Sequence, residues 1–255
     1  MRQRFSDGQA IEYFHLAFLL VLQTRLDQQR YVVKGGANLR YFFESPRYSE
    51  DIDLDAISTE PWQLEAKVDE VLGSPALNIV LRAGDLAVSE ATKPKQTATT
   101  QRWKPVLAVG GRGAPVRTRI EFSHRTSDPR RILEAVPERI VAPYALRPPT
   151  TLHYTPEAAV EQKVSALAHR AATQARDVFD LELLLRRHSS AVRRGTVPRE
   201  TLDAAIGRAL ELPFDGFRDQ VVPFLDSAVV ELYGDRPGWE RTQIFVAERL
   251  AELRP

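Results

Sequence analysis

Three aspartates at alternate positions, Asp51, Asp53 and Asp55, are the residues whose spacing most directly suggests chemistry. Side chains alternate between the two faces of a strand, so these carboxylates share one face while Ile52 and Leu54 point into the core. Aspartate is depleted in strands, and its oxygens are ligands that Mg²⁺ prefers. The pattern predicts a magnesium site formed by Asp51 and Asp53, with Asp55 shaping the local field.

A double glycine, Gly35-Gly36, precedes the aspartates and opens a short helix. Glycine lets the backbone approach a ligand closely, and a helix N-terminus offers free N–H groups to a phosphate. A phosphate-binding turn followed by an Asp-x-Asp strand suits the transfer of a nucleotidyl group. The alternative is a polar edge strand after a glycine turn.

Lys163 lies on the apolar stripe of a helix predicted over residues 156–171, together with Val160, Val164 and Leu167. A buried ammonium needs a polar partner, and a triphosphate would supply one. The alternative is a lysine that reaches solvent from the helix edge. Asp177 shares a face of the next helix, predicted over residues 174–188, with Asp180, which is expected to hold Arg176 or a neighbouring helix.

The residues so far described resemble a known family. Gly35-Gly36-x-x-Leu39 followed by Arg47-x-Ser49-x-Asp51-Ile52-Asp53-Leu54 is similar to the AbiEii-type nucleotidyltransferase toxins of the DNA polymerase β-like superfamily. The segments 161–167 and 176–181 resemble the second signature of that family. The resemblance spans roughly residues 8–190, with two departures: Ala37 replaces a hydroxyl residue of many relatives, and Gln162 replaces the usual acid before the lysine.

The resemblance implies roles for further residues. The superfamily fold places a third carboxylate on a strand beside the Asp-x-Asp strand, and Glu121 is the candidate; its alternative is an ion pair with Arg119 or a cross-strand arginine. The resemblance also favours Asp177 as a functional residue that orients Lys163 or a ribose. Other candidates for contact with the nucleotide are Lys34, Arg47 and Ser49. The alternatives are a Lys34 that faces solvent and an Arg47 that braces the loop. A serine at this loop position is also a possible phosphorylation target, with capping of the loop as the alternative.

The family resemblance further implies the reaction and its partners: a nucleoside triphosphate as substrate, an RNA acceptor (the 3′ end of tRNA), blocked translation and a cognate antitoxin. A monomer is expected. Two alternatives remain open, namely a nucleotidyltransferase that modifies a protein or a small molecule, and a non-catalytic module that binds a nucleotide or partner.

Composition narrows the class of protein. The chain has 255 residues, a net charge of +1 and no cysteine, which excludes a disulfide scaffold and fits a reducing cytoplasm. No apolar run reaches the length of a membrane span. Residues 41–70 hold nine acidic side chains, whereas residues 91–120 hold seven basic ones and no acid. The first pattern suits a metal site and the second a polyanion.

The predicted fold is α+β: a polymerase β-like core, with a mixed sheet and flanking helices, over residues 1–150, and a helical bundle over residues 151–255 that contributes Lys163 and Asp177 to the active site. In the core, the patterns predict helices over 8–29 and 62–73, and strands over 30–34, 51–57, 77–90, 99–109, 116–123 and 139–141. Beyond residue 150 the chain is expected to be helical throughout, with later helices over 199–210, 216–231 and 239–253.

Overall fold

The computed structural model describes residues 5–125, 128, 130–190 and 192–255. The chain divides into two compact units, of which the first comprises Met1–Phe42 and Tyr48–Tyr154. The second comprises Phe43–Arg47 and Thr155–Pro255. The five-residue segment 43–47 therefore belongs with the helical end of the chain, although it lies within the sequence of the first unit.

The first unit is a sheet with helices packed on it. Its elements in chain order are α1 (Asp7–Leu22), β1 (Tyr31–Lys34), α2 (Gly35–Phe42), β2 (Asp51–Ala56), α3 (Pro61–Leu72), α4 (Pro75–Ala83), β3 (Leu86–Gln96), β4 (Thr100–Val109), β5 (Val116–Arg117), β6 (Arg119–Ser123), β7 (Arg131–Ala135), α5 (Glu138–Val141) and β8 (Thr150–Tyr154). The strand order is β3-β4-β6-β2-β1-β8-β7, and β5 pairs with β4. The sheet is mixed, because β2 runs parallel to β6 and antiparallel to β1.

The core of the first unit lies between the sheet and α1. Phe14, Leu16, Phe18 and Leu19 of α1 are fully buried, as are Ile52 and Leu54 of β2. The helix begins with a capping box in which Ser6 accepts from the backbone of Gln9. Because β2 and β6 are central strands with one face packed on this core, polar side chains on their other face are held by a rigid support.

The second unit is helical. Its elements are α6 (Pro156–His169), α7 (Ala175–Arg187), α8 (Arg199–Glu211), α9 (Phe214–Gln220), α10 (Ser227–Tyr233) and α11 (Arg236–Glu252). Helix α6 packs against α7 and α8, and α11 packs against the same two helices. Phe217 stacks on Trp239 with ring centroids 4.7 Å apart, which anchors α9 on α11.

Several predicted elements were wrong. Residues 77–90, predicted as one strand, form the end of α4 and the start of β3, because Ser74 caps a helix whose first residue is Pro75. The strand predicted at 139–141 is the short helix α5, and residues 150–154 form a strand rather than a helix.

Two predicted helices also have different bounds. The helix predicted over 8–29 ends at Leu22, where its buried positions stop. The helix predicted over 216–231 is interrupted, because a 3₁₀ turn at Val222–Phe224 that contains Pro223 separates α9 from α10. Within the described residues, no helix has the length and apolar character needed to cross a membrane.

Candidate functional site

Three carboxylates, Asp51, Asp53 and Glu121, lie on one face of the first unit's sheet, and we call them the carboxylate face. Strands β2 and β6 are parallel neighbours, with Asp51 opposite Arg119 and Asp53 opposite Glu121. The side chains of the three acids are 20%, 33% and 24% exposed, respectively. Glu121 therefore occupies the strand beside the Asp-x-Asp strand, where the resemblance placed a third carboxylate.

Arg119 lies among these three acids. Its Nη2 is 2.5 Å from Oδ2 of Asp51 and 3.8 Å from Oδ1 of Asp53, and its Nε is 3.8 Å from Oε2 of Glu121. A single cationic group therefore neutralises part of the charge of all three carboxylates.

Glu121 has a second cationic partner. Arg102 of β4 lies directly opposite Glu121 and donates from Nε to Oε2 over 2.7 Å. The cross-strand ion pair that the sequence left open as the alternative for Glu121 is therefore present. Its role as a metal ligand or proton acceptor stays a prediction.

Asp55, the third aspartate of β2, differs from the other two. It is buried, it accepts from Lys34 Nζ over 2.5 Å, and the hydroxyl of Tyr154 donates to its other oxygen over 2.5 Å. These contacts tie β2 to β1 and to the end of β8. They also engage the charge of Lys34, for which the sequence suggested a phosphate contact.

The double glycine lies beside Asp53. Gly35 has a φ of +62°, and a Cβ at this position would lie 3.0 Å from Oδ2 of Asp53. Only glycine combines this backbone conformation with so close an approach to the carboxylate. Helix α2 begins here, so its free N–H groups start next to the carboxylate face, which is the arrangement expected for a phosphate bound near a metal.

The donor set suits a hard divalent cation, because all three acids of the carboxylate face offer oxygen ligands. Across the described ranges, no three acidic or histidine side chains are already arranged as a metal cluster. The guanidinium of Arg119 lies among these oxygens, within 4 Å of one oxygen of each acid. By donor type the three acids fit a divalent metal ion, and in this structure their cationic neighbour is Arg119.

A cleft of about 450 Å³ extends from Asp51 across the neighbouring strands. Its lining includes three cationic side chains, Lys104, Arg117 and Arg119, and also Glu50 and Glu90. Of the ion pairs in the part of the chain that the structure describes, none involves Lys104 or Arg117. The cleft thus offers two uncommitted positive charges beside a candidate metal ligand.

The second unit contains a separate group of charges, Arg47, Lys163, Arg170, Asp177 and Asp180, which we call the buried charge cluster. Lys163 Nζ donates to Asp177 over 2.9 Å and to Asp180 over 2.6 Å. Arg47 contacts both oxygens of Asp180, at 3.2 and 2.9 Å from its Nη2. Arg170 lies 3.0 Å from the second oxygen of Asp177.

Burial and charge act in opposite directions on Asp180. Burial raises the pKa of this carboxyl, but Arg47 and Lys163 outweigh burial, so the pKa lies below its usual value. Asp180 is fully buried and charged, which is tolerable only because both cations contact it.

These contacts change the interpretation of Lys163 and Arg47. The sequence required a polar partner for a buried lysine and suggested a triphosphate, whereas the structure supplies Asp177 and Asp180 as partners. The expected contact between Asp177 and Lys163 is present. Asp180 was expected to hold Arg176 or a neighbouring helix, and its contact with Lys163 of α6 confirms the second alternative. Asp180 also binds Arg47, so Arg47 holds the segment 43–47 on α7.

Ser49 lies in the loop before β2, and its hydroxyl donates to the backbone oxygen of Asp51 over 2.7 Å. This hydrogen bond fixes the loop at the start of the Asp-x-Asp strand. The contact corresponds to the capping alternative for Ser49 and leaves phosphorylation as a prediction.

Sequence reasoning missed four partners: Arg119 for Asp51 and Asp53, Arg102 as the particular cross-strand arginine that pairs with Glu121, Tyr154 for Asp55, and Arg170 for Asp177. Arg119 had a signal, because it lies two residues before Glu121 on the same strand. The other three contacts depend on strand register and helix packing, which no local pattern reports.

Comparison with known proteins identifies the family to which the chain belongs. Residues 17–234 match the model of the nucleotidyl transferase AbiEii toxin family, described as a type IV toxin–antitoxin system. The chain belongs to the AbiEii family. The resemblance seen in the motifs is therefore confirmed, and the protein is a nucleotidyltransferase toxin of a type IV toxin–antitoxin system. Such a protein uses a nucleoside triphosphate and has an antitoxin partner.

Solved structures support the fold. JHP933 from Helicobacter pylori is 17% identical and superposes with a TM-score of 0.58, covering 98% of this chain and 93% of that one. A second H. pylori protein, described provisionally as a nucleotidyltransferase, is 18% identical with a TM-score of 0.56, covering 96% and 94%. At this identity the likenesses show the fold alone, and they confirm the predicted class. No curated protein matches the sequence significantly.

Proposed function

We propose that this toxin transfers a nucleoside monophosphate to RNA in a magnesium-dependent reaction, with the 3′ end of tRNA as acceptor and blocked translation as the result. A hydroxyl of the acceptor attacks the α-phosphate, a new P–O bond forms, the bond to the bridging oxygen breaks, and pyrophosphate leaves. The observation that carries the proposal is the arrangement of Asp51, Asp53 and Glu121 around one cationic group beside Gly35.

Asp51 and Asp53 are the proposed metal ligands, because they lie on one face of a rigid central strand and keep partial access to solvent. Bound Mg²⁺ supplies stabilisation of the negative charge that develops on the reacting phosphate. Glu121 is the proposed third ligand or proton acceptor. Its Oε2 accepts a hydrogen bond from Arg102, and we propose that this bond fixes the orientation of the carboxylate.

The start of α2 is the proposed binding site for the β- and γ-phosphates. The N–H groups of the first helical turn have no partner within the helix, and the helix dipole favours an anion there. Gly35 and Gly36 leave room for phosphate oxygens, and any side chain at Gly35 would press on Asp53.

Lys163 remains a proposed phosphate ligand with Asp177 as its positioning residue. The buried charge cluster supports this role in one respect: Asp177 also contacts Arg170 and Asp180 also contacts Arg47, so neither carboxylate has Lys163 as its sole partner. Arg47, Lys34 and Ser49 are proposed to position the loop and strands that carry the acids, because each contacts a neighbouring group of its own unit.

The cleft beside Asp51 supports an RNA acceptor, because Lys104 and Arg117 present positive charge to a phosphate backbone. The basic stretch 91–120 forms the strands that line it. AbiEii membership favours an enzyme over the non-catalytic binding module.

Label transfer tests the proposal. The purified protein is incubated with Mg²⁺, each nucleoside triphosphate labelled on its α-phosphate, and either total RNA or cell lysate. We expect label in RNA of tRNA size, and none after chelation of the metal. Label in protein or in small products would show that the acceptor is a protein or a small molecule and not RNA. The absence of label from every fraction would contradict the transferase proposal.

Asp51→Asn is the matched variant for this assay. It keeps the size of the side chain and removes the charge, so we expect transfer to fall by about a hundred- to a thousandfold, the range seen when a group that stabilises transition-state charge is lost. Asp203→Asn changes an exposed aspartate of α8 and serves as the control. Wild-type activity in Asp51→Asn would refute the assignment of the metal ligand.

A further inference from the structure

Arg119 lies among the three acids at the place where the proposed function expects a metal ion. Parallel pairing of β2 and β6 places it opposite Asp51, while Glu121 lies two residues further on the same strand. Its guanidinium is within 4 Å of an oxygen of Asp51, of Asp53 and of Glu121. No other cationic group within the described ranges forms ion pairs with all three.

The guanidinium satisfies these acids poorly. It makes one close contact, to Asp51, and two ion pairs at 3.8 Å. Its Nε is buried and has no hydrogen-bond partner among the described residues. The N–H groups of a guanidinium all point outward in one plane, and here only the contact with Asp51 is short, whereas Mg²⁺ binds oxygen ligands at about 2.0–2.1 Å in an octahedral arrangement.

The negative charges of the three acids explain why a cationic side chain, Arg119, lies between them. Asp51, Asp53 and Glu121 carry three negative charges, and Arg102 balances one of them through Glu121. Asp51 and Asp53 lie side by side on one face of β2, so without Arg119 their charges would repel each other more strongly. The guanidinium of Arg119 therefore lowers this repulsion while no metal ion is bound.

We infer that Arg119 is an internal counter-cation that holds the metal position of the carboxylate face, and that a divalent cation binds Asp51 and Asp53 in exchange for its guanidinium. This inference rests on the proposed function for the identity of the metal ligands. Arg119 acts on the reaction through the acids, so it is a positioning residue.

The displaced side chain of Arg119 would move into the neighbouring cleft. Arg119 already lines this cleft of about 450 Å³ together with Lys104 and Arg117. After exchange, its charge would join theirs on the surface that faces the acceptor. Metal binding would thus free a third cation for a phosphate of the incoming strand.

Direct binding of Mn²⁺, measured by calorimetry and by electron paramagnetic resonance without nucleotide, tests the exchange. Arg119→Gln removes the competing charge, so we expect the Kd for Mn²⁺ to fall by roughly fivefold, the upper value for the loss of one partly exposed ion pair. The thermal upshift caused by saturating Mn²⁺ should also be larger in Arg119→Gln than in the wild type.

Arg117→Gln is the matched control. It removes the same charge from the same stretch of chain but contacts none of the three acids, so its Kd should stay within about twofold of the wild type because screening by salt weakens distant charges. An equal gain in Arg117→Gln would show a general field effect and would overturn the exchange. Unchanged or weaker binding in Arg119→Gln would overturn it as well.

Arg119→Lys covers the case in which the glutamine variant does not fold. Lysine keeps the positive charge on a flexible ammonium but lacks the planar guanidinium. We therefore expect its affinity for Mn²⁺ to lie between that of the wild type and that of a protein without charge at this position. An affinity for Mn²⁺ at or below the wild-type value would overturn the inference.

The label-transfer assay separates this inference from the proposed function. Transfer by the wild type without tighter Mn²⁺ binding in the Arg119 variants overturns the inference alone. Tighter Mn²⁺ binding in Arg119→Gln without transfer to any acceptor overturns the proposed function alone. Failure of every protein to bind Mn²⁺ overturns the inference together with the assignment of the metal ligands.

Discussion

The carboxylate face and the buried charge cluster both bring acids and bases together, but they do so in different surroundings. On the carboxylate face, Asp51, Asp53 and Glu121 keep 20–33% of their side-chain surface exposed. In the buried charge cluster, Asp180 is fully buried and Lys163 is only 11% exposed. Water therefore screens the acids of the first group, whereas both acids of the second, Asp177 and Asp180, are shielded from it although their partner Arg170 is 39% exposed.

This difference decides which charges can be exchanged. A partly exposed ion pair contributes about 0–1 kcal/mol, so its cation can be replaced at little cost. A buried charge that loses its partner costs several kcal/mol, so the pairing is fixed. We therefore expect the carboxylate face to bind and release ions, and the buried charge cluster to hold the second unit together.

Asp180→Ala should give the largest change in stability. It removes the carboxylate that Arg47 and Lys163 share, so the free energy of unfolding should fall by about 3–5 kcal/mol. Asp51→Ala, on the exposed face, should change it by less than about 1 kcal/mol. Urea unfolding followed by circular dichroism measures both, and equal losses would remove the distinction between the two groups.

The pH dependence of stability sharpens the same comparison. The folded pKa of Asp180 lies below its usual value, so the charged form stabilises the folded state. This contribution is present above the unfolded pKa of about 3.9 and is lost as the pH falls through the lower folded value. Wild-type stability should therefore fall more steeply below about pH 4 than that of Asp180→Asn, and parallel curves would contradict the assignment.

Lys163→Met should change activity more than it changes the fold. Asp177 and Asp180 keep Arg170 and Arg47 as partners, so the cluster retains one cation for each acid. If Lys163 binds a phosphate, kcat/KM should fall by about ten- to a hundredfold through a higher KM and a lower kcat. Steady-state kinetics on protein of verified stability measure this, and unchanged constants would reduce Lys163 to a structural residue.

Asp55→Asn compares two acids of one strand. Asp55 loses its charge-assisted contacts with Lys34 and Tyr154, so stability should fall by about 1–2 kcal/mol while transfer stays close to the wild-type rate. Asp53→Asn should show the opposite, with little loss of stability and a large loss of transfer. Both variants are assayed for unfolding and for label transfer, and a loss of transfer in Asp55→Asn without a loss of stability would assign Asp55 to the metal site.

The sequence predicted most of the strands near the site because its signals there are local. Alternation in 51–55 places three acids on one face, and the glycines mark the start of α2. The prediction failed at residues 77–90, because the apolar residues there are compatible with either a strand or a helix. Ser74 and Pro75 favour the start of a helix, and α4 begins at Pro75.

The partners of the site residues were harder to predict than their positions. Arg47 and Asp180 are separated by 133 residues, and Arg102 and Glu121 meet through the register of β4 and β6. The single strand predicted over 116–123 is interrupted at Thr118, whose hydroxyl donates to the backbone oxygen of Glu50. Arg117 therefore pairs with β4, whereas Arg119 pairs with β2.

Ser49→Ala should give the smallest effect of the set. The Ser49 hydroxyl makes one hydrogen bond, to the backbone oxygen of Asp51, so its loss should cost about 0.5–1.5 kcal/mol and leave transfer nearly intact. Ser49→Asp adds a negative charge next to the carboxylate face, where it repels a triphosphate, as a phosphate on this serine would. Label transfer by both variants separates the two interpretations: a larger loss in Ser49→Asp than in Ser49→Ala favours regulation by charge, whereas equal activities leave Ser49 as a residue that only fixes the loop.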